Sequence, residues 1–394
     1  MSNSVPPFSS AEYDRRLHKT RVAMEARGID VLIATDPSNQ AWLTGYDGWS
    51  FYVHQAVILP LEGTPVWWGR NQDTNGAVRT VDLERTAISG YPDNYVQSTE
   101  RHPMQHLARR LKMMGYENAR IGVEMENYYF SAKAYTTLLT ELPQAEIVDA
   151  TALVNWQRTV KSMEEIAFMR KAAAITQKIQ NFALERAEPG MRKNDLAAEI
   201  TAEAIRGVGD DWGDYPAIVP LLPSGTDAAA PHLTWNGDVM KTGEATFFEL
   251  SGCYRRYHAP LSRTVFLGKP PAFLERAEAA LIEGLEAGLA AARPGNRACD
   301  IANALGDAMD RAGIDRGARC GYPVGLSYPP DWGERTISLR PEDETVLQPG
   351  MTFHFMPGIW MEDWGLEITE SILIRHAGPA ETFCKIPRKI FVKD

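Results

Sequence analysis

The stretch Pro189-Gly190-Met191-Arg192-Lys193-Asn194-Asp195-Leu196-Ala197 returns further along the chain as Pro294-Gly295-Asn296-Arg297-Ala298-Cys299-Asp300-Ile301-Ala302. Both copies read P-G-x-R-x-x-D-(L/I)-A. Each follows a long helical stretch and opens another helix. Pro and Gly stop one helix, and the Asp is expected to N-cap the next. Two copies of such a turn predict a duplicated unit of helix–turn–helix plus sheet.

Working outward, a domain boundary falls near Trp156–Lys161, which predicts domains at 1–155 and 156–394. Ser162 and Glu165 have capping-box spacing. The helix behind them carries Ile166, Met169, Ile175, Ile179 and Phe182 as an apolar stripe. In the first domain, Ser9 and Glu12 have the same capping-box spacing, before a helix that runs to about Ala26 and stops at Gly28. Strand-like runs are Val31–Ala34, Gln55–Leu59, Pro65–Trp68 and Ala119–Val123, with a helix from Pro103 to Met114 ended by Gly115. Strands alternating with helices predict an α/β domain, and the whole chain reads as α/β (α+β).

Composition narrows the function. The 394 residues carry a formal net charge of −10, with 44% hydrophobic and 23% charged residues. An acidic chain argues against nucleic acid, whose phosphates need a basic footprint. No apolar run approaches membrane-spanning length. Met1–Ser10 lacks a basic-then-apolar pattern, so no signal peptide is expected. Cys253, Cys299, Cys320 and Cys384 are scattered and read as free thiols of a cytoplasmic protein.

Several motifs, in order, resemble the creatinase and aminopeptidase P type of hydrolase, a pita-bread fold of two pseudo-symmetric halves. Arg158-Thr159-Val160-Lys161-Ser162 with Glu165-Ile166 and Met169-Arg170 resembles that family's entry helix. Gly243 through Gly268, including Ser262-Arg263-Thr264, resembles its first metal-bearing hairpin, and Leu347-Gln348-Pro349-Gly350-Met351 with Pro357-Gly358 its third. The resemblance covers roughly residues 155 to 390, behind a creatinase-type N-terminal domain. It implies a fold whose relatives hold two divalent ions with two Asp, one His and two Glu. Carried over by motif, those five positions are Glu249, Pro260, Tyr322, Met356 and Thr369. Proline and methionine offer no ligand for a hard cation. No metal and no other cofactor is therefore expected.

The chemistry that remains centres on Glu249, a carboxylate inside the apolar run Phe247-Phe248-Glu249-Leu250. Three readings are open: it points to solvent, it pairs with Arg255 or Arg263, or it faces the cleft as nucleophile or general base. The resemblance implies that His232 shuttles protons and that Arg340 clamps a substrate carboxylate, as in creatinase. Creatinase's guanidinium-clamping glutamates fall at Ser262 and Met356, so creatine itself does not fit. Tyr322 and Glu370 are expected to orient the reacting group. Trp49, Phe51, Tyr52 and His54 form an aromatic-rich stretch that either packs a core and a dimer contact or makes a lid over a cationic ligand.

These N-domain stretches and the Glu249 hairpin are further similar to hydrolases that open a cyclic amidine. That implies a compact zwitterionic substrate whose amidinium carbon is already electrophilic. The resemblance also implies a homodimer in which the N-domain contributes to the partner's site. A creatinase-like amidinohydrolase, a proline-specific peptidase and a non-catalytic binding protein are the alternatives.

Overall fold

The computed structural model describes Pro6–Lys393. It divides into two compact units, Met1–Arg158 and Thr159–Asp394.

The first unit is a six-stranded mixed sheet in the order Ile88–Tyr91, Val66–Arg70, Ala56–Pro60, Val31–Ala34, Arg120–Val123, Glu146–Asp149. Val31–Ala34 is buried at all four positions, as its unbroken apolar run requires. Helices Pro103–Met113 and Ala132–Glu141 pack Leu107, Leu111, Ala134 and Leu138 against the sheet. The first helix, Ser10–Ala26, departs from its expected cap. Ser9 accepts from the Glu12 N–H, but the Glu12 carboxylate turns to Arg15 and Arg16 instead of closing a capping box. Two guanidinium groups outcompete one backbone amide for that carboxylate. The capping box at Ser162 and Glu165 forms in full.

The second unit shows the duplication in its backbone. Helices Met163–Arg186 and Lys193–Arg206 make one pair, and Ala272–Ala291 and Ala298–Arg311 the other. At the first turn, Gly190 N–H donates to Met240 O at 2.8 Å and Lys193 N–H to Asp238 O at 3.0 Å. At the second, Gly295 N–H donates to Leu347 O at 2.9 Å and Ala298 N–H to Thr345 O at 2.9 Å. Arg192 bridges Val239, and Arg297 bridges Val346, in the same register. The repeated Asp does not take the N-cap, which Arg192 and Arg297 occupy. It stands at the third helical position, where Asp300 reaches back to accept from the Arg297 N–H at 2.7 Å.

Each helix pair covers its own sheet. The first packs on Ala245–Leu250 and Leu261–Leu267, through Phe248, Leu250, Leu261 and Val265. The second packs on Thr352–Phe355 and Glu370–Leu373, through Phe353, Phe355 and Ile372. This is the pita-bread arrangement, and it brings the inner strands of both halves to one place.

Candidate active site

Glu249 pairs across its hairpin with Ser262. Residues directly opposite in an antiparallel pair share a face, while Arg263 points to the other. That alternation sorts the charged groups. Arg263 runs behind the sheet and donates to Glu370 Oε1 at 2.7 Å, and Arg388 donates to the same oxygen at 3.0 Å. Glu370 is thus held by two guanidinium groups on the face away from Glu249, where it ties strands together. Arg255 stacks on Trp212 at 4.6 Å. Neither arginine expected as a partner reaches Glu249.

Glu249 is instead buried, at 5% exposure, with His354 Nδ1 3.8 Å from its Oε1. Burial alone raises its pKa to about 7. A second carboxylate lies close enough to be felt. Glu367 is fully buried, and its pKa is driven well above the ordinary range by that burial and then by the charge of Glu249. The Ser262 hydroxyl and the Trp360 indole pull the other way, and Trp360 Nε1 donates to Glu367 Oε1 at 3.0 Å. Two buried carboxylates in mutual view do not both ionise near neutral pH. The two titrate as a pair, and one of them keeps its proton near neutral pH.

A chain of hydrogen bonds lines the same site. Trp332 Nε1 donates to the Tyr322 hydroxyl at 2.8 Å, and that hydroxyl lies 3.0 Å from His354 Nδ1. His354 Nε2 lies 2.8 Å from Thr369 Oγ1, which accepts from the Ser262 N–H at 2.7 Å. The indole and the amide can only donate. A neutral imidazole has one N–H and one bare nitrogen, so one of these hydroxyls donates to His354 and the other accepts from it. Burial, and then the positive charge of Arg319, push the His354 pKa down to about 3. The imidazole is neutral, so its contact with Glu249 is a polar contact and not an ion pair.

Other expected site residues stand elsewhere. His232 is exposed on the loop after the Gly225–Ala229 turn. Among the described residues, no hydrogen bond or ion pair joins it to Glu249; the imidazole near that carboxylate is His354. Arg340 is exposed and lines a cavity of about 360 Å³ with Arg319, Cys320 and Glu342. In the first unit, Trp49 and Tyr52 are 57% and 66% exposed. Phe51 packs on Trp49 and Tyr129, and Arg70 donates to the Tyr52 hydroxyl at 3.0 Å. His54 packs on His102 at 4.9 Å, and burial with that neighbour lowers its pKa to about 4. His354, Glu367 and Trp332 escaped the sequence reading. His354 sits in Phe353-His354-Phe355, which reads as core, and Glu367 in a motif whose attention fell on Thr369 and Glu370.

The residues at the family's ligand positions do not fit a pair of divalent ions. Pro260 and Met356 present no hard donor, and Tyr322 and Thr369 spend their oxygens on the indole, amide and imidazole just described. Among the described residues, no group of three or more His, Cys, Asp or Glu side chains is placed to hold a metal.

Two duplicated helix pairs, each covering its own sheet behind an α/β domain, are the fold of a known class. The chain belongs to metallopeptidase family M24, whose pattern matches residues 167–376, with a creatinase/prolidase N-terminal domain at 16–160. It is 59% identical, over 98% of both chains, to a Halomonas elongata protein named ectoine hydrolase. It is 41% identical to an uncharacterized hydrolase/peptidase of Sinorhizobium fredii, over 98% of this chain and 99% of that one. A prolidase from Thermococcus sibiricus superposes with a TM-score of 0.84 at 19% identity, over 98% of this chain and 100% of that one, which shows the shared fold. The chain is a hydrolase acting on C–N bonds.

Proposed function

We propose that this protein is a metal-independent ectoine hydrolase that opens the cyclic amidine ring to an N-acetylated diaminobutyrate. The observation that carries the reading is Glu249, buried and poised near neutrality, in a site whose ligand positions hold proline and methionine. The 59% identical relative supports the choice of substrate.

The amidinium carbon of ectoine is electrophilic without Lewis-acid help. Ionised Glu249 takes a proton from a water that attacks that carbon, or attacks the carbon itself and leaves an ester that such a water then hydrolyses, and a tetrahedral carbon forms in either case. The C–N bond to one ring nitrogen then breaks. That nitrogen leaves with the proton that the attacking water gives up to Glu249, relayed through the Tyr322 hydroxyl and His354, so that Glu249 is ionised again. The net change is one water added and an amide formed. Protonated Glu367 keeps the pocket from accumulating two negative charges.

Incubation with ectoine, creatine and an Xaa-Pro dipeptide, followed by proton NMR, tests the choice of substrate. Loss of the ectoine ring signals with growth of an acetamide methyl is expected. Urea release from creatine or cleavage of the dipeptide, with ectoine intact, would replace the reading.

A further inference from the structure

We propose that the buried Lys161–Glu334 ion pair positions the Tyr322 hydroxyl, acting through the segment that carries Trp332. The proposal rests on the ectoine reading for what that hydroxyl does.

Lys161 Nζ lies 2.6 Å from Glu334 Oε2, and each side chain is 1% exposed. Both ends are tied to backbone. The Lys161 N–H donates to Gly350 O at 3.0 Å, and the next residue, Ser162, caps the helix Met163–Arg186. The Glu334 N–H donates to Pro323 O at 2.9 Å, and Gly333 bridges Val324. Trp332, Gly333 and Glu334 thus run beside the strand Gly321–Pro323, which carries Tyr322. Trp332 gives its indole N–H to the Tyr322 hydroxyl at 2.8 Å. A Cβ on Gly333 would lie 3.3 Å from Tyr322 Cδ2, so the backbone passes at the edge of the ring. The turn before it is fixed by Ser327 Oγ, which donates to Trp332 O at 3.0 Å, and by Asp331 Oδ1, which accepts from the Gly333 N–H at 2.8 Å. The pair itself packs on Gly325, where a Cβ would meet Glu334 Oε1 at 2.5 Å and Lys161 Cε at 2.9 Å. Only glycine leaves the two charges room to meet.

A buried ion pair adds little stability, because desolvating both charges offsets their attraction, and apolar replacements of similar volume are often neutral or stabilising. What the pair supplies beyond an apolar contact is a narrow geometry. Glu334 stands two residues from the indole that meets the Tyr322 hydroxyl, and that hydroxyl lies 3.0 Å from His354, beside Glu249. A misplacement of about 1 Å in reacting groups can cost about a hundredfold in rate. Lys161 and Glu334 act through Trp332 and are positioning residues. The same role accounts for Lys161 in the motif Arg158-Thr159-Val160-Lys161-Ser162.

The test replaces the pair by Lys161→Met/Glu334→Leu in the full-length protein, with and without Trp332→Phe. The expected result is a urea midpoint no lower than the parent's, a kcat for ectoine reduced about tenfold, and a KM within about twofold. In the Trp332→Phe background the same replacement leaves kcat within about twofold, because the link is already cut. Full kcat in the folded double variant, a loss carried by KM alone, or an equal loss in both backgrounds would overturn the proposal. Should the double variant not fold, Glu334→Asp decides. It keeps the charge and withdraws the carboxylate by one methylene, so kcat should fall with KM held, and a parent-like kcat would overturn the proposal. A readout without turnover separates the positioning from the hydrolysis. The Trp332 indole N–H is assigned in a proton–nitrogen correlation spectrum by its absence from Trp332→Phe. Without the pair it should exchange with solvent about tenfold faster or more, while the other indoles keep their rates; unchanged exchange would overturn the proposal. A parent that leaves ectoine intact but shows this faster exchange would sink the hydrolysis and keep the positioning, and hydrolysis with unchanged exchange would do the reverse.

Discussion

Glu249 carries two consequences that can be measured apart. An unfolded glutamate titrates near 4.5 and the folded Glu249 near 7, so the folded state holds the extra proton between those values. Stability is undiminished below pH 4.5 and falls as pH rises through 7, by at most about 3 kcal/mol for a wholly buried group. Glu249→Gln removes that loss. The variant should melt higher than the parent at pH 8 and about level with it at pH 5; melting curves that track each other at both values would contradict the burial argument. The same titration requires kcat/KM of the parent to fall on the acid side of about pH 7, because the protonated carboxyl is no nucleophile. Tyr322→Phe tests the hydroxyl chain. It strands the Trp332 indole N–H in a dry site, at a cost of about 1–3 kcal/mol. Its kcat should drop roughly a hundredfold or more with little change in KM, as for a lost proton donor. A rise in KM alone would make Tyr322 a binding group.

At the scale of elements, the two Pro-Gly turns are the most legible feature of the chain. They recur in sequence and they recur in backbone pairing. Gly190 and Gly295 have φ of +88° and +89°, and a Cβ at either would meet nothing within 4 Å. Alanine there pays for the left-handed backbone and for nothing else. Each substitution should cost about 1 kcal/mol, and the double variant about the sum, as read by urea unfolding. A marked excess in the pair would mean that the two turns are coupled. The neighbouring Asp was legible as a cap but not in its position, because the Arg three residues before it takes the N-cap. The partners of Glu370 were not legible for a similar reason. Motif spacing put it beside a ligand position, while strand alternation turned it to Arg263, and Arg388 lies in a segment with no sequence signal of its own.

Across the whole molecule, the fold followed from pattern, and the site did so only in part. Apolar periodicity and turn residues are local, so two duplicated helix pairs and an α/β sheet could be read directly. A cleft assembles strands far apart in the chain. Glu249 could be singled out because a carboxylate in an apolar strand is costly. Glu367 and His354 could not, because their burial beside Glu249 is a product of packing the two halves. His232 and Arg340 stood in family positions, and the structure shows both exposed, with His354 3.8 Å from Glu249. Among the described residues, no helix is long and apolar enough to cross a membrane.

The central claim is that Glu249 opens the ring without a metal. Its most direct measurement is the rate at which ectoine ring signals disappear from the proton NMR spectrum, with parent protein and Glu249→Gln side by side after exhaustive chelation. The prediction is an unchanged rate for the chelated parent and a loss on the order of a thousandfold or more for the variant. A parent that stops after chelation and recovers with added divalent ion, or a variant that keeps its rate, would contradict it.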